Sequence, residues 1–468
     1  MSSTKTSRHV SVRKFRGCRK LLILCAGRAL VARTDIGPRK DGGSLPRTLY
    51  IDDIFMSLGT YDSISQAMQD VILHLPQWLS HTKNDSSPPP QPPSRLTIIF
   101  FTTGNPGLIA YYGTFLKLLA EGAGNDAVIA GASLGGFEAR DAGAFDNTLK
   151  SELLYPPVLP RQPLYDLQGQ VKLTHERLIT LVTNINTNYP ARRPSDTLTQ
   201  VVLIGHSVGA YIALQLVHTQ HSLYASQSSN WAPAFEITAT MLLTPTIQDI
   251  ATSSSGKIAT PLLSNLPFFP ALLQLGAGTL TSTMPMSWLG NLVSRITSMK
   301  AGSEALAATV QFLRTPGAVK QALYMARCEM GEIGAEQWKD EVWGAADAEV
   351  EDALPEGSRG ISQGKAVKDQ REDNGNTQVR ERSSQTVAAG PQNGAQWKPP
   401  KHYFLFAKQD HWVANETRDA IVQTVGGRAK IVVDEPEEGK QGIVHAWCLE
   451  QNDKVATIVN AWLEEILC

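Results

Sequence analysis

The sequence has few cysteines and almost no net charge, and both shortages narrow what it can do. Its five cysteines, spread over 468 residues, form no Cys-x-x-Cys pair and no spacing typical of a metal site. We therefore expect free thiols and neither a disulfide framework nor a metal centre. The formal net charge is −1, so no overall field attracts the chain to nucleic acid or to an anionic membrane. Any contact with lipid must come from local apolar surface.

The sequence also lacks a nucleotide-binding glycine fingerprint and an internal repeat. Up to Thr34 it holds nine Lys or Arg and no acid, with one apolar run, residues 21–26, that is too short to span a bilayer. This composition is typical of a mitochondrial targeting peptide, of a disordered basic tail or of an over-extended gene model. All three interpretations stay open, and we find no catalytic residue in this part of the chain.

Two stretches of biased composition divide the chain. Residues 86–94 are rich in proline, which prevents helix and sheet alike, so we predict an extended linker. Residues 344–396 contain no aromatic residue and are mostly small, polar or charged, so we predict a disordered insertion. The predicted organisation is a basic extension (1–45), a segment ending in the linker (46–94), a core in two parts (95–250 and 399–468), an apolar cap (251–343) and the insertion (344–398).

Short apolar runs alternate with helical patterns between these stretches. Six runs have the length and composition of buried strands: residues 96–102, 127–132, 200–205, 239–244, 403–407 and 430–433. A strand near residues 49–51 and a helix near residues 64–79 are also predicted. Alternating strands and helices indicate an α/β fold with a mostly parallel sheet covered by helices on both faces.

The residues that carry chemistry begin with Gly205-His206-Ser207-Val208-Gly209. This Gly-x-Ser-x-Gly motif directly follows the predicted strand at 200–205 and directly precedes a helical pattern. A serine at such a turn is typical of the nucleophile of an α/β-hydrolase fold. The flanking glycines remove Cβ atoms that would clash, and the helix N-terminus directs positive potential at the serine oxygen. We therefore predict an α/β-hydrolase fold with Ser207 as the nucleophile.

A nucleophilic serine needs a histidine base and an acid that orients the histidine, and in this fold they follow in the order Ser, acid, His. His445 lies in the loop between the strand at 430–433 and the last helical pattern, so we predict it as the base. Asp410 follows the strand at 403–407 and is the predicted acid. Asp249, after an earlier strand, is the alternative acid.

The oxyanion hole of such an enzyme uses two backbone N–H groups, one from the residue after the nucleophile and one from an earlier loop. Val208 is the residue after Ser207. Asn105 lies in a glycine- and proline-shaped turn directly after the strand at 96–102. We predict the N–H groups of Val208 and Asn105 as the two donors; a plain β-turn at Asn105 is the alternative. The resulting chemistry needs no metal and no organic cofactor.

Several motifs, taken in order, resemble the lipid droplet-associated hydrolase family. They are Gly104-Asn105-Pro106-Gly107, Gly205-His206-Ser207-Val208-Gly209, Asp410-His411-Trp412-Val413 and Val444-His445-Ala446-Trp447, and the resemblance extends over residues 96–468 except for the insertion. It implies that Ser207, Asp410 and His445 take the nucleophile, acid and base positions of a serine lipase or esterase. It also implies action on sterol or acylglycerol esters at the lipid droplet surface.

Residues 258–294 contain no charged side chain, and proline and polar residues interrupt them too often for a membrane-spanning helix. They could line an acyl-binding pocket beneath a cap, or form proline-broken helices that bury in one lipid leaflet. Both interpretations call for an apolar lipid ester as substrate. The expected partner surface is the droplet monolayer or the endoplasmic reticulum membrane on its cytoplasmic face, with no nucleic acid. The alternatives are a droplet protein that uses the fold as a scaffold, and a soluble esterase.

Overall fold

A computed structural model describes residues 70–80, 95–138, 153–154, 164–188, 198–226, 234–265, 269–335, 337–344, 397–436 and 441–467. The basic extension (1–45), the strand expected near residues 49–51, the proline-rich linker and almost all of the insertion lie outside the described residues. Every residue predicted for the catalytic site lies within them.

One seven-stranded sheet forms the centre of the fold. The strands are β1 (Val71–His74), β2 (Thr97–Thr102), β3 (Ala127–Ala132), β4 (Thr199–His206), β5 (Phe235–Leu243), β6 (Lys401–Ala407) and β7 (Ala429–Asp434). Their order is β1-β3-β2-β4-β5-β6-β7, and every neighbouring pair is parallel except β1 with β3. The six apolar runs are thus confirmed as strands β2 to β7.

The edge strand β1 corrects the prediction of a helix near residues 64–79. Val71–His74 is extended and pairs with β3 in antiparallel register, Val71 opposite Ala132. A run of a few apolar residues has no periodicity that separates a strand from a buried helix, so the partner decides. Here β3 offers a free edge and buries Val71, Ile72 and Leu73. The sheet therefore begins before residue 95, inside the segment that we had separated from the core.

Twelve helices accompany the sheet in the described part of the chain. They are α1 (Gln77–Ser80), α2 (Gly113–Ala123), α3 (Leu167–Asn188), α4 (Val208–Ala225), α5 (Gly256–Asn265), α6 (Phe269–Thr283), α7 (Met286–Thr297), α8 (Glu304–Arg314), α9 (Ala318–Glu332), α10 (Asp340–Trp343), α11 (Asn415–Val425) and α12 (Asn452–Leu467). All residues of β2 and β3 are buried, so both faces of the sheet are covered, as predicted. α2 packs against α12, and α3 packs against α4.

Helices α5 to α9 follow one another between β5 and β6, and we call them the inserted helices. Within this group α6 packs against α8 and α9, α5 against α9, and α7 against α8. None of the helices in the described ranges combines the length and the apolar character needed to cross a bilayer. The inserted helices follow the carboxyl end of β5 in the chain, and several of their residues lie close to the carboxyl edge of the sheet.

The chain on either side of residues 345–396 is held together by hydrogen bonds. The Trp397 indole N–H donates to the Glu341 carbonyl oxygen (3.0 Å), and the His402 Nε2–H donates to the Val342 carbonyl oxygen (2.7 Å). Arg428 donates to the Gly344 carbonyl oxygen (2.8 Å). The chain thus leaves and re-enters the fold at one place. That place adjoins the start of β6, whereas Asp410 follows the end of β6.

We expect that residues 345–396 can be replaced by a Gly-Ser linker of about six residues with a change in melting temperature of no more than about 3 °C. The reason is that the flanking residues are already fixed to each other. Thermal unfolding of the full chain and the shortened chain tests this. As a control, Trp397→Ala in the shortened chain removes one of the anchors and should lower the melting temperature. Loss of a cooperative transition on shortening alone would contradict the prediction.

His402 makes folding depend on pH. It is buried, accepts a hydrogen bond from the Thr240 hydroxyl at Nδ1 (2.7 Å), and burial lowers its pKa to about 4 from the ordinary value of 6.5. Because the unfolded chain binds this proton more readily, the stability contribution is complete above pH 6.5 and is lost as the pH falls towards 4.

The measurement is the free energy of unfolding from pH 7 to pH 4.5, compared between the natural chain and His402→Gln, which retains a donor but does not titrate. We expect the natural chain to lose about 1.4 kcal/mol more per pH unit below 6. His411→Gln, which changes an exposed histidine, should leave the slope as it is in the natural chain. Parallel slopes for the natural chain and His402→Gln would show that His402 is not the titrating group.

Candidate active site

Ser207 occupies the turn between β4 and α4. Its backbone adopts φ 55° and ψ −123°. Residues other than glycine rarely occupy this region, which costs them on the order of 1–3 kcal/mol. The motif glycines explain how the turn fits. A Cβ atom on Gly205 would collide with the backbone of Gly209, and one on Gly209 would collide with the backbone of Thr102 in β2. The surrounding sheet and helix therefore hold the serine in this conformation.

The structure brings Ser207, His445 and Asp410 into one hydrogen-bonded row. His445 Nε2 lies 2.9 Å from Ser207 Oγ, and His445 Nδ1 lies 2.8 Å from Asp410 Oδ2. The side chains of His445 and Asp410 are 11% and 4% exposed. Asp410 follows β6 and His445 follows β7, so the carboxyl edge of the parallel sheet gathers residues that lie far apart in the sequence.

The environment of Asp410 favours its charged form. Burial alone raises the pKa of this carboxyl group, but His445 and the N–H groups of Trp412 and Val413, which donate to Oδ1 at 2.7 and 3.3 Å, lower it below its ordinary value. The carboxylate therefore accepts a hydrogen bond from the Nδ1–H group of His445. That tautomer leaves Nε2 with a lone pair directed at the serine hydroxyl, which is what a general base requires.

The alternative acid, Asp249, forms its hydrogen bonds with residues other than His445. Its N–H donates to the Gly334 carbonyl oxygen (2.7 Å), and its carboxylate accepts a long hydrogen bond from Gln248 (3.5 Å). The hydrogen bonds of Asp249 thus hold the chain that leads into the inserted helices.

The two residues predicted to donate backbone N–H groups to the oxyanion, Val208 and Asn105, both lie near Ser207. Val208 is the first residue of α4, where backbone N–H groups have no acceptor within the helix, and its side chain is fully buried. Asn105 follows Gly104, on which a Cβ atom would lie 3.1 Å from the Cβ of Ser207. Asn105 lines the same cavity as Ser207 and His445. Its side-chain amide is directed at α9, where it donates to the Ala322 carbonyl oxygen (3.0 Å).

A series of buried hydrogen bonds fixes the backbone of His445, and the sequence analysis assigned no role to the side chains that form it. The Gly104 N–H donates to the Tyr112 hydroxyl (3.2 Å), and that hydroxyl donates to His206 Nδ1 (2.6 Å). His206 Nε2–H then donates to the backbone carbonyl oxygen of His445 (2.8 Å). Burial, followed by the proximity of His445, lowers the pKa of His206 to about 3, so His206 is neutral. These hydrogen bonds therefore link the Asn105 turn to the histidine loop.

The cavity in front of Ser207 is mostly apolar. The inserted helices contribute the largest share of its wall, with Ile258, Leu262, Leu263, Phe312, Leu323 and Met330. One exception is Glu329 of α9, whose carboxyl group is buried and whose pKa burial raises to about 8. The lining residues include no Lys and no Arg. Within the described ranges, no three His, Cys, Asp or Glu side chains converge as metal ligands would.

Four of the five residues predicted for the site thus line one cavity or one hydrogen-bonded row, and Val208 adjoins them through its backbone. Sequence reasoning missed Glu329, Tyr112 and His206 as members of the site. His206 stood within the quoted Gly205–Gly209 motif, but its hydrogen-bond partners, Tyr112 and the His445 backbone, lie in distant parts of the chain. Glu329 carried one signal, an acid in a helix next to apolar sequence.

Solved structures with related architecture include the peroxisomal alpha-beta-hydrolase Lpx1 of Saccharomyces cerevisiae, with a TM-score of 0.42 and 10% identity over 80% of this chain and 77% of that one. A thermostable carboxyl esterase of Bacillus coagulans has a TM-score of 0.41 and 14% identity over 85% of this chain and 94% of that one. At this degree of similarity neither structure informs the activity of the present chain.

Sequence comparison is more informative. The chain is 27% identical to the lipid droplet-associated hydrolase of Gallus gallus over 268 residues, 56% of this chain and 69% of that protein. It is 31% identical to the protein of the same name from Rattus norvegicus over 166 residues, 36% of this chain, and spans 42% of the rat protein. The human relative is also covered over 42% of its length, so the chain matches less than half of these two mammalian proteins.

The family model described as lipid-droplet associated hydrolase matches residues 95–351. This region is more than half of the chain and includes Asn105, the Ser207 turn and the inserted helices. Asp410 and His445 follow this region in the sequence, and in the folded chain they lie beside Ser207. With its mostly parallel sheet and its serine at the strand-to-helix turn, the chain has the α/β-hydrolase fold and belongs to the lipid-droplet associated hydrolase family.

Proposed function

We propose that this hydrolase is a serine carboxylic ester hydrolase that cleaves apolar lipid esters, of the sterol or acylglycerol type, at the lipid droplet surface. The observation that carries the proposal is the row of hydrogen bonds from Asp410 through His445 to Ser207, which opens into an apolar cavity. A charged carboxylate, an oriented imidazole and a strained serine are the parts that acyl transfer through a covalent intermediate requires.

In the proposed first half-reaction, Ser207 Oγ attacks the ester carbonyl carbon while His445 Nε2 takes the hydroxyl proton. Asp410 stays ionised and stabilises the imidazolium that forms. His445 then gives the proton to the leaving alcohol oxygen as the carbon–oxygen bond breaks. An acyl-serine remains. Water attacks it in the second half-reaction, with His445 again as base, and releases the fatty acid and Ser207.

The tetrahedral intermediates carry negative charge on the former carbonyl oxygen. We assign the N–H groups of Val208 and Asn105 to that oxygen. The N-terminus of α4 adds favourable potential there because the helix begins at the residue after the serine and its dipole is positive at that end. The buried chain through Tyr112 and His206 contributes indirectly, since it holds the His445 backbone and keeps the imidazole within reach of Ser207.

Ser207→Ala should lower kcat for ester hydrolysis by about 10⁴-fold or more, and Asp410→Asn should lower it by about 10³- to 10⁴-fold, because the first removes the nucleophile and the second gives the wrong imidazole tautomer. The assay is hydrolysis of a long-chain ester by purified full-length chain, with fluorophosphonate labelling of the serine in parallel. Asp249→Asn is the matched control for the acid and should keep both turnover and labelling.

Undiminished turnover in Ser207→Ala would refute the proposed mechanism. A natural chain that neither labels with fluorophosphonate nor hydrolyses any ester would instead support the scaffold alternative, a droplet-surface protein with little or no turnover.

Exposed apolar side chains on the inserted helices support a position at a lipid surface. Leu272 and Leu275 on α6 are each 65% exposed, and Trp288 on α7 is 66% exposed. Ile258 on α5 is 53% exposed and also lines the cavity, so exposed apolar surface adjoins the cavity wall. Large apolar surfaces of this kind mark contacts with membranes or partners. We propose that these residues enter the droplet monolayer, or the cytoplasmic leaflet of the endoplasmic reticulum, and that the ester reaches Ser207 from there.

The triple variant Leu272→Ser, Leu275→Ser, Trp288→Ser should reduce the fraction of protein that floats with phosphatidylcholine-coated triolein droplets by at least about tenfold, because apolar burial in lipid is lost. Hydrolysis of a short-chain, water-soluble ester should be retained. Ile179→Ser with Leu223→Ser changes two exposed apolar residues outside the inserted helices and serves as the control. Equal flotation of all three proteins would contradict this role of the inserted helices, and absence of flotation in the natural chain would favour the soluble-esterase alternative.

A further inference from the structure

Glu329 is a buried acid in the cavity wall that the proposed triad does not use. It lies on α9 and is only 4% exposed. Apolar cavity residues surround it on the same helix, including Ala322, Leu323 and Met330. A buried carboxyl group in such surroundings costs free energy unless something compensates for it.

The compensation that the structure provides is incomplete. Glu329 Oε1 accepts a hydrogen bond from Asn105 Nδ2 at 2.9 Å, and among the described residues Oε2 has no hydrogen-bond partner. The amide oxygen of Asn105 is also buried and without a partner within the described part of the chain. Glu329 and Asn105 both line the cavity, and the unpaired carboxyl oxygen of Glu329 is the atom that a ligand in the cavity can engage.

The charge state of this pair favours a neutral ligand. Burial raises the pKa of Glu329 to about 8, so at neutral pH its carboxyl group is mostly protonated and both donates and accepts hydrogen bonds. The lining residues include no Lys or Arg that would balance a phosphate or a carboxylate. The Tyr111 and Thr309 hydroxyls, which also line the cavity, are paired with each other at 3.0 Å. A hydroxyl group is therefore the ligand that fits Glu329.

The pair lies close to the proposed reaction centre. Asn105 supplies the second proposed oxyanion N–H, and the preceding residue, Gly104, packs against Ser207. In a 1-monoacylglycerol the nearest free hydroxyl is separated from the ester oxygen by only two carbon atoms. Such a hydroxyl can reach a side chain next to the oxyanion loop while the ester carbonyl faces Ser207. Sterol esters and triacylglycerols have no free hydroxyl to offer.

We propose that Glu329, held in place by the side-chain amide of Asn105, binds a free hydroxyl group of the substrate, so that the enzyme prefers partial acylglycerols to fully esterified lipids. This inference rests on the proposed function, because it concerns the same cavity and the same reacting serine. It makes Glu329 a specificity-determining residue. A substrate without the hydroxyl leaves the buried pair unsatisfied, and an unsatisfied group of this kind reduces kcat/KM by about 10- to 100-fold.

The test compares 1-oleoylglycerol with methyl oleate, two esters with the same acyl chain, in the full-length protein. The natural chain should show the higher kcat/KM for 1-oleoylglycerol. Glu329→Leu should lower kcat/KM for 1-oleoylglycerol by about 10- to 100-fold more than that for methyl oleate, because only the first ester offers a hydroxyl group to the carboxyl. Glu329→Gln, whose amide both donates and accepts, should restore most of the preference. Glu332→Leu, on the same helix but outside the cavity lining, is the matched control.

A parallel experiment measures binding of the non-hydrolysable ethers 1-O-hexadecylglycerol and hexadecyl methyl ether to Ser207→Ala, with and without Glu329→Leu. The glycerol ether should bind more tightly only while Glu329 is present. Equal binding of the two ethers, equal hydrolysis of the two esters by the natural chain, or an equal loss for both esters in Glu329→Leu would overturn the proposal. If the natural chain hydrolyses no ester but the glycerol ether binds more tightly than the methyl ether, the proposed function is refuted and the hydroxyl site is supported.

Discussion

The short contact between His445 and its two partners is the interaction on which the site depends. An imidazole can act as a base towards Ser207 only while its other nitrogen keeps a proton, and the buried carboxylate of Asp410 fixes that proton at Nδ1. The three residues follow the carboxyl ends of three different strands, β4, β6 and β7. Their meeting is therefore a property of parallel strand order, and any shift of β6 or β7 against β4 would separate them.

Keeping the serine in place requires a backbone conformation that serine disfavours. The fold compensates for this strain by burial: β4 and α4 lie in the centre of the core, and the motif glycines let α4 approach β2 closely. The hydrogen bonds from Gly104 through Tyr112 and His206 then tie the histidine loop to the neighbouring turn. Rigidity at this edge of the sheet thus comes from buried, neutral groups, which hold geometry without adding charge beside the proposed acid and base.

The inserted helices join two properties that a lipid hydrolase needs. Their inner side chains line an apolar cavity without Lys or Arg, and their outer side chains leave Leu272, Leu275 and Trp288 exposed. A chain with a net charge of −1 has no long-range attraction to a membrane, so the proposed adsorption to lipid would rest on short-range apolar contact. Glu329 stands out in this setting because it places a carboxyl group, mostly uncharged, inside a cavity whose wall is otherwise mostly apolar.

The sequence by itself determined the six core strands and the serine turn, because aliphatic runs and a glycine-flanked serine are local signals. It also predicted the proposed nucleophile, acid and base in their order along the chain. It left Asp249 open beside Asp410, and it predicted a helix where Val71–His74 forms a strand. Only the tertiary structure decided those two points, since the partner of an acid or of a short apolar run lies far away in the chain. The same holds for His206, Tyr112 and Glu329, whose burial, protonation and hydrogen bonds exist only after folding brings their neighbours to them.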